Sequence, residues 1–493
     1  MEAIVTLTPE VADDPLAALA RPPEGAAVVE IRADLLADLD LRAAVAACPL
    51  PVLVTCRSEA EGGSGPRDPV ARAAVLSTAR DSGAALVDVE FARDREAAQR
   101  LGIAPEQTVL SWHDCDGTPE DLAVTAAAML ATPAGHVKIV PTAHRLAEVE
   151  AVLRLFTVAG RSTRRLITFA MGAVGMPTRI IGPLLGSPVT FAAWREDALA
   201  APGQLPIESM IAIAGHLAAP PQRLFGVVGH DVTSSLSPVM HAAGYRELDL
   251  PYLFVPVNVP DAEDLRLLFT PAGETLFDRV GLSAAGWAVT TPFKDAAAAV
   301  ATLRAPRVER CRAANTLVLR AASLAADTTD ADGVVGSLMA AGVDPEGLTA
   351  VVQGTGGAGR AAAVGLHLAG ATVHLRGRDD EHAGHTARAI GVSPLATGDP
   401  IPDGAVLVNA TPLGSNPYDE SPFTTGQVVR AAAVVDMVYA ENPTTLEATA
   451  GDAGVTCIDG RSVLAHQGFA QFAAFTTRLP PKEAMLAAVQ RPR

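Results

Sequence analysis

The sequence predicts an α/β protein: an N-terminal (β/α)8 barrel of the TIM type, then a second α/β unit that ends in a Rossmann domain. Three observations predict it. Eight short β-branched runs alternate with Ala/Leu/Arg-rich stretches across the first 200 or so residues. Pro220-Pro221 then breaks the pattern before a new strand begins at Leu224. Further on, Gly354-Thr355-Gly356-Gly357-Ala358-Gly359 lies between an apolar strand and an Ala-rich helix. The length, 493 residues, matches about three units of ordinary domain size. The boundaries follow as 1–219 for the barrel, 222–332 for a middle α/β domain and 333–493 for the dinucleotide-binding domain, with the last helix returning to the middle one.

The barrel strands are expected at Ala3–Thr6, Val28–Asp34, Val52–Arg57, Ala85–Glu90, Val109–His113, Val137–Val140, Leu166–Met171 and Val189–Trp194. Helical stretches at 40–47, 68–82, 119–131 and 144–159 lie between them, and a last barrel helix ends near Leu217. Eight such repeats in this span fit a closed barrel better than an open sheet. The strand ends carry polar groups: Thr6, Glu30 with Arg32, Arg57, His113 and Lys138. In a barrel these ends converge on one mouth, where the active site is built. Asp34, Asp88 and Glu90 are expected to form supporting salt bridges.

Lysine is scarce. Of 38 basic residues only Lys138, Lys294 and Lys482 are lysine. Arginine serves for surface charge, but it stays protonated and cannot act as an amine nucleophile or proton shuttle. Lys482 lies in a Pro-Pro-Lys tail and reads as chance. Lys138 sits in the apolar strand Val137-Lys138-Ile139-Val140, where lost solvation lowers a lysine's pKa and frees its amine for imine formation. Arg32, Arg57 and Arg179 near the same mouth point to an anionic substrate, and His113 supplies a proton carrier.

Residues 1–215 resemble type I 3-dehydroquinate dehydratase. The likeness rests on Val29-Glu30-Ile31-Arg32-Ala33-Asp34, Thr55-Cys56-Arg57 with Glu61-Gly62-Gly63, Ser111-Trp112-His113-Asp114, Lys138-Ile139-Val140-Pro141, Thr178-Arg179 and Ala201-Pro202-Gly203-Gln204. It implies that Lys138 forms an imine with the C3 ketone of 3-dehydroquinate. It also implies that His113 moves the C2 proton, tuned by Glu61. Glu30, Arg32, Arg57, Arg179 and Gln204 would hold hydroxyls and carboxylate, with Phe191 packed beside them. Ala200 stands where the family has a serine, which removes one loop hydroxyl and about 1 kcal/mol of substrate binding.

In the second unit the glycines of the 354–359 turn let backbone N–H groups approach a pyrophosphate at a helix N-terminus. Arg376-Gly377-Arg378-Asp379 follows the next strand, and an arginine there favours the 2′-phosphate of NADP, so NADP is the expected cofactor and NAD remains open. Lys294 follows Thr290-Thr291-Pro292-Phe293 at a helix start, a place that disfavours cations. That disadvantage points to function, with Asp330 as a carboxylate partner.

Residues 223–480 resemble shikimate dehydrogenase, through Ser235-Leu236-Ser237-Pro238, Thr290, Lys294, Asn315-Thr316, Thr329-Asp330, Asn409-Ala410-Thr411-Pro412, Asp436-Met437-Val438-Tyr439 and Gln467-Gly468. The resemblance implies a shikimate-dehydrogenase-like α/β substrate domain in which Lys294 and Asp330 are the catalytic dyad. Ser235, Ser237, Thr290, Asn315, Tyr439 and Gln467 would bind substrate. Gly354, Gly356, Gly357, Ala358, Gly359, Arg378, Asn409 and Thr411 would bind cofactor. Ala288, Ser234, Ala313 and Thr328 depart from the family's usual Asn, His, Gly and Asn, changes that could turn specificity towards quinate.

The two activities run in series, because 3-dehydroshikimate leaves the first site and enters the second. The expectation is therefore a bifunctional lyase and oxidoreductase of the shikimate pathway. An NAD-linked quinate or shikimate dehydrogenase is the alternative, and a regulator that lost catalysis would lack the residues that Lys138, His113, Lys294 and Asp330 supply. A net charge of −17 and only 20 aromatic residues argue against nucleic acid or an anionic membrane as partner. Five cysteines with no CxxC pair predict no zinc site or other metal, and reduced thiols in the cytoplasm. The start of the chain does not read as a signal peptide. The small anionic substrates are the expected partners, and the oligomeric state is open, a homodimer included.

Overall fold

The computed structural model describes residues 2–160, 165–269, 274–320, 323–416, 418–440 and 442–490. Eight parallel strands open the chain: β1 (Ala3–Leu7), β2 (Ala26–Arg32), β3 (Val52–Thr55), β4 (Leu86–Glu90), β5 (Thr108–Asp114), β6 (His136–Pro141), β7 (Leu166–Thr168) and β8 (Thr190–Ala193). They hydrogen-bond in the order β7-β6-β5-β4-β3-β2-β1-β8. The sheet rolls until its edges adjoin, and Phe169, just past β7, lies 5.7 Å by ring centroid from Phe191 in β8.

Alternation along each strand sorts the residues. Val5, Val29, Val54, Val137 and Ile139 join the large core beneath the helices. Ile4, Leu53, Val109, Val140, Ile167 and Phe191 form a second buried cluster. That second face continues into Thr6, Glu30, Thr55, Ser111 and Lys138, so the polar side chains stack above an apolar plug.

Several expected bounds shift: the second strand is Ala26–Arg32 rather than Val28–Asp34, and the third stops at Thr55, short of Arg57. The seventh strand ends at Thr168 rather than Met171, because the Ala170 N–H donates to the Thr178 hydroxyl instead of a ladder. The last barrel helix is Ile207–Ala214 and closes at Gly215, short of Leu217.

The next sheet contains β9 (Arg223–Gly229), β10 (Tyr252–Asn258), β11 (Ala284–Val289), β12 (Leu303–Arg304), β13 (Thr316–Arg320) and β14 (Ser323–Asp327), in the order β10-β9-β11-β13-β14-β12. Its outer strand β10 packs on the barrel helix Met176–Leu184, and the apolar core runs unbroken from barrel to sheet. Arg145 pairs with Asp264 at 3.0 Å and Asp261 at 3.2 Å across this junction. Asp264 also accepts the Leu146 N–H, which opens the helix Leu146–Ala159.

The third sheet has β15 (Thr349–Gln353), β16 (Thr372–Arg376), β17 (Ser393–Pro394), β18 (Val406–Asn409), β19 (Ala433–Asp436) and β20 (Cys457–Ile458). All pairs are parallel, in the order β17-β16-β15-β18-β19-β20. The order reverses between β15 and β18, the switch point at which such sheets bind dinucleotides. Helix Gly460–Thr476 then packs against helix Asp330–Ala340 and against β11 and β13 of the middle sheet. Among the described residues no helix is long and apolar enough to cross a membrane.

Candidate active sites

The barrel's polar strand ends line one cavity of about 250 Å³, together with Phe169, Met171, Arg179, Phe191, Ala200 and Gln204. Lys138 comes from the middle of β6, so its amine reaches the cavity from the floor. Its Nζ lies 3.7 Å from Asp88 and 4.0 Å from Glu30, and 4.0 Å from the Phe191 ring centroid. Burial holds this lysine below the usual range, Arg57 and Arg32 add to the effect, and Glu30 and Asp88 oppose it without reversing it. Glu30 is itself fixed by the Thr6 and Thr55 hydroxyls, at 2.8 and 2.7 Å.

His113, on the neighbouring strand, also faces the cavity. Its Nδ1 lies 3.0 Å from Glu61 Oε2. Burial, then the cations Arg57, Lys138, Arg32 and Arg179, hold the ring far below the ordinary histidine range, hence neutral. Glu61 follows β3 in a single 3-10 turn closed by Gly62 at φ +82°, which turns the carboxylate back under the histidine. Burial pushes Glu61 up to about 8 while Arg57 and Arg93 pull it down, and Arg93 donates to it at 2.9 Å. The Glu61 contact engages Nδ1 and leaves Nε2 as the ring's other nitrogen.

The three arginines differ. Arg32 is held by Asp34 through two bonds of 2.9 and 2.7 Å. Arg57 is held by Ser111 at 2.8 Å and Asp88 at 2.7 Å, so the guanidinium chiefly balances the carboxylates beneath the cavity. Arg179 is buried over the Phe169 ring, and its Nε and Nη2 have no hydrogen-bond partner among the described residues. Burial alone lowers it to about 9. It remains a cation at neutral pH and lines the cavity. Gln204 accepts the Ala200 N–H at 2.8 Å and thereby shapes the loop over the cavity.

A second group of side chains gathers where the middle and third sheets meet. Lys294 begins the helix Lys294–Val300, and its Nζ lies 2.5 Å from Asp330 Oδ2. Asp330 Oδ1 accepts from Asn315 Nδ2 at 2.9 Å. That amide also donates to Gln467 Oε1 at 2.9 Å, and its oxygen accepts the Thr329 N–H at 2.7 Å. Asn315 is thus buried and committed to aiming Asp330. Ser235 bonds the Tyr439 hydroxyl, which burial raises above the usual tyrosine range. The Ser237 N–H reaches Ser235 Oγ at 3.3 Å. Thr290 follows β11 and donates its N–H to the Val228 carbonyl at 2.9 Å.

The glycine turn stands against this group. A Cβ on Gly357 would sit 3.1 Å from Lys294 Cβ, so no larger residue leaves the helix start this close to the lysine. Gly354 has φ +127°, and a Cβ on Gly359 would lie 2.0 Å from Gly354 O. Gly356 is exposed and faces open space, and Ala358 follows in the first helical turn. The amides beginning helix Gly357–Leu368 are therefore free to meet a diphosphate, and the turn fits one.

Thr411 caps the neighbouring turn. Asn409 is fully buried, and its side chain bonds Leu413, Asp436 and Thr411. Its side chain thus ties the 409–413 turn to β19 beside the switch point. Arg378 is exposed past β16. Arg376, which was not among the expected contacts, is buried at the strand end. Its Nε and Nη1 have no partner among the described residues, and burial lowers its pKa. Its only advance sign was its position beside Arg378. Arg93 gave none, since a helix-flanking arginine is ordinary in sequence.

Known proteins share these features. Residues 3–217 match the family model of type I 3-dehydroquinase, and residues 227–317 match that of the shikimate dehydrogenase substrate binding domain. A chloroplastic bifunctional 3-dehydroquinate dehydratase/shikimate dehydrogenase of Arabidopsis thaliana is 30% identical over 489 residues, spanning 93% of this chain and 79% of its own. A shikimate dehydrogenase (NADP(+)) of Halorubrum lacusprofundi is 39% identical over 281 residues, 54% of this chain and 98% of its own. A solved shikimate 5-dehydrogenase of Thermus thermophilus, in complex with NADP(H) and shikimate, is 30% identical. It covers 54% of this chain and 98% of that one, with a TM-score of 0.48.

Proposed function

We propose that this chain, which belongs to the family of bifunctional 3-dehydroquinate dehydratase/shikimate dehydrogenases, dehydrates 3-dehydroquinate in its barrel and reduces the resulting 3-dehydroshikimate to shikimate. One observation carries the reading: both scarce lysines have their amines inside sites. Lys138 lies between two carboxylates in the barrel cavity, and Lys294 lies on Asp330 beneath the glycine turn.

In the barrel, the unprotonated Lys138 amine attacks the C3 carbonyl, and loss of water leaves an imine whose protonated form draws electrons from C2. His113 Nε2 takes the C2 proton and returns it to the departing C1 hydroxyl, which leaves as water. Hydrolysis of the imine restores the lysine. Glu61 holds the ring's other nitrogen. Arg179 is the carboxylate's counter-ion, since it lines the cavity, its buried Nε and Nη2 have no hydrogen-bond partner among the described residues, and no carboxylate pairs with it as Asp34 pairs with Arg32 and Asp88 with Arg57. Glu30, Arg32 and Gln204 frame the hydroxyls, and the Phe191 ring lies against the lysine's amine nitrogen.

In the second site, Ser235, Ser237 and Tyr439 take the carboxylate end, and Thr290 and Gln467 bound the ring. The 354–359 turn, with Arg376 and Arg378 at the ribose end, would hold NADPH, which would supply the hydride for the C3 carbonyl. Lys294 donates a proton to the developing alkoxide and recovers it from solvent, and Asp330 keeps the ammonium aimed.

Mass spectrometry of the products formed from 3-dehydroquinate tests this. With NADPH, shikimate accumulates. Without nicotinamide, 3-dehydroshikimate accumulates. Quinate oxidation with NAD outpacing shikimate oxidation with NADP would overturn the assignment.

A further inference from the structure

We infer that Asn258 is a positioning residue shared by both active sites, and that its buried amide holds the substrate loop of each in register with the other. The inference rests on the two-activity reading above. Asn258 is the last residue of β10 and is only 1% exposed. A buried primary amide must satisfy its donors and its acceptor. Here they are divided between two domains. Nδ2 donates to the carbonyl of Ala173 in the barrel at 2.9 Å, and Oδ1 accepts the N–H of Val232 at 2.7 Å. These bonds also fix which end of the amide is which.

Each partner belongs to a loop that builds a site. On the barrel side, Ala173 lies between Gly172, which lines the cavity, and the helix Met176–Leu184, which carries Arg179. The Gly172 N–H donates to Pro202 at 3.1 Å, and a Cβ on Gly203 would meet Gly172 O at 2.2 Å. The 200–204 loop over the cavity therefore rests on the same turn that Asn258 holds. On the other side, the Val232 carbonyl accepts the Ser235 N–H at 3.1 Å. Val232 thus anchors the loop that presents Ser235 and Ser237. The span from the Pro202 turn to the Ser235 turn is hydrogen-bonded throughout, and the side chain of Asn258 is the piece that crosses the domain boundary.

Two substitutions separate the halves of this bridge. Asn258→Leu keeps bulk and removes both bonds. Asn258→Asp keeps an acceptor for Val232 and replaces the donor facing Ala173. Arg145→Ala is the control, because it removes ion pairs of the same junction that touch neither loop. The full-length chain is assayed at both sites for KM and kcat, with thermal melts alongside.

We expect Asn258→Leu to raise KM for 3-dehydroquinate and for shikimate about five-fold each, the effect of one lost neutral hydrogen bond at each loop. Both kcat values should stay within about two-fold, because neither loop carries Lys138, His113, Lys294 or Asp330. Asn258→Asp should raise KM at the barrel only. This one-sided response, which a merely structural amide would not give, decides the matter even if the leucine variant does not fold. Unchanged KM values in both variants, or Arg145→Ala raising them as much, would overturn the role. A wild-type chain inactive at either site would instead overturn the two-activity reading.

Discussion

Lys138→Met removes the amine while keeping most of the side chain's bulk. The chemical loss should be large, because an imine needs a nitrogen nucleophile and no other lysine lines the cavity. Removing a nucleophile of this kind costs roughly 10⁴ to 10⁶ in turnover. The stability change should run the other way. Burial outweighs Glu30 and Asp88 and depresses the folded-state pKa of Lys138 below its ordinary value of 10.5. The unfolded chain therefore binds this proton more tightly than the folded one. Stability from this group is lost at low pH and recovered as pH rises from the folded pKa towards 10.5.

At pH 7 methionine should thus melt at or above the wild type, with the difference narrowing towards pH 10. Ultraviolet absorbance of the conjugated product reports the dehydratase, shikimate oxidation serves as the internal control, and differential scanning gives the melts. Borohydride added with 3-dehydroquinate should leave covalent mass on the wild type alone. Label on the variant, or retained turnover, would refute the imine. A fall of more than about 4 °C, roughly 1 to 2 kcal/mol for a domain of this size, would show that the two carboxylates bind the ammonium more strongly than burial opposes it.

Lys294→Ala should lower shikimate oxidation about 10²- to 10⁴-fold and leave the dehydratase unchanged, as separate initial-rate assays will show. The His113 ring, followed by NMR in the full chain, should titrate below the ordinary histidine value of 6.5, because burial among cations favours its neutral form; titration at or above 6.5 would contradict its role as a base. Arg378→Ala should raise KM for NADP about ten-fold or more, the loss of one charge-assisted bond, and leave that for NAD within two-fold. Equal effects on both would remove Arg378 from the 2′-phosphate.

Much of the site is written in local spacing. The inward-facing series Glu30–Arg32, Thr55–Arg57, Ser111–His113 and Lys138–Val140 follows from a period of two, which any strand imposes on its side chains. The scarcity of lysine marked two amines for attention before any packing was known. The glycine turn was legible too, since a strand, a tight turn and a helix are a local matter. The seventh strand was read too long because the competitor for its ladder, the Thr178 hydroxyl, arrives from a later helix.

Strand period, turn chemistry and the choice of reactive side chains were therefore encoded along the chain, because they depend on covalent neighbours alone. The state of each charge was not. Arg57 and Arg179 look alike as residues, yet one is bound by Asp88 and Ser111 and the other has buried donors without partners. Likewise, nothing near Asn258 in sequence points to Ala173, which lies 85 residues away. Pairing, burial and the pKa shifts they cause depend on distances between segments that only folding brings together. That is why the groups could be named from the chain, while their charge states and partners required the packed molecule.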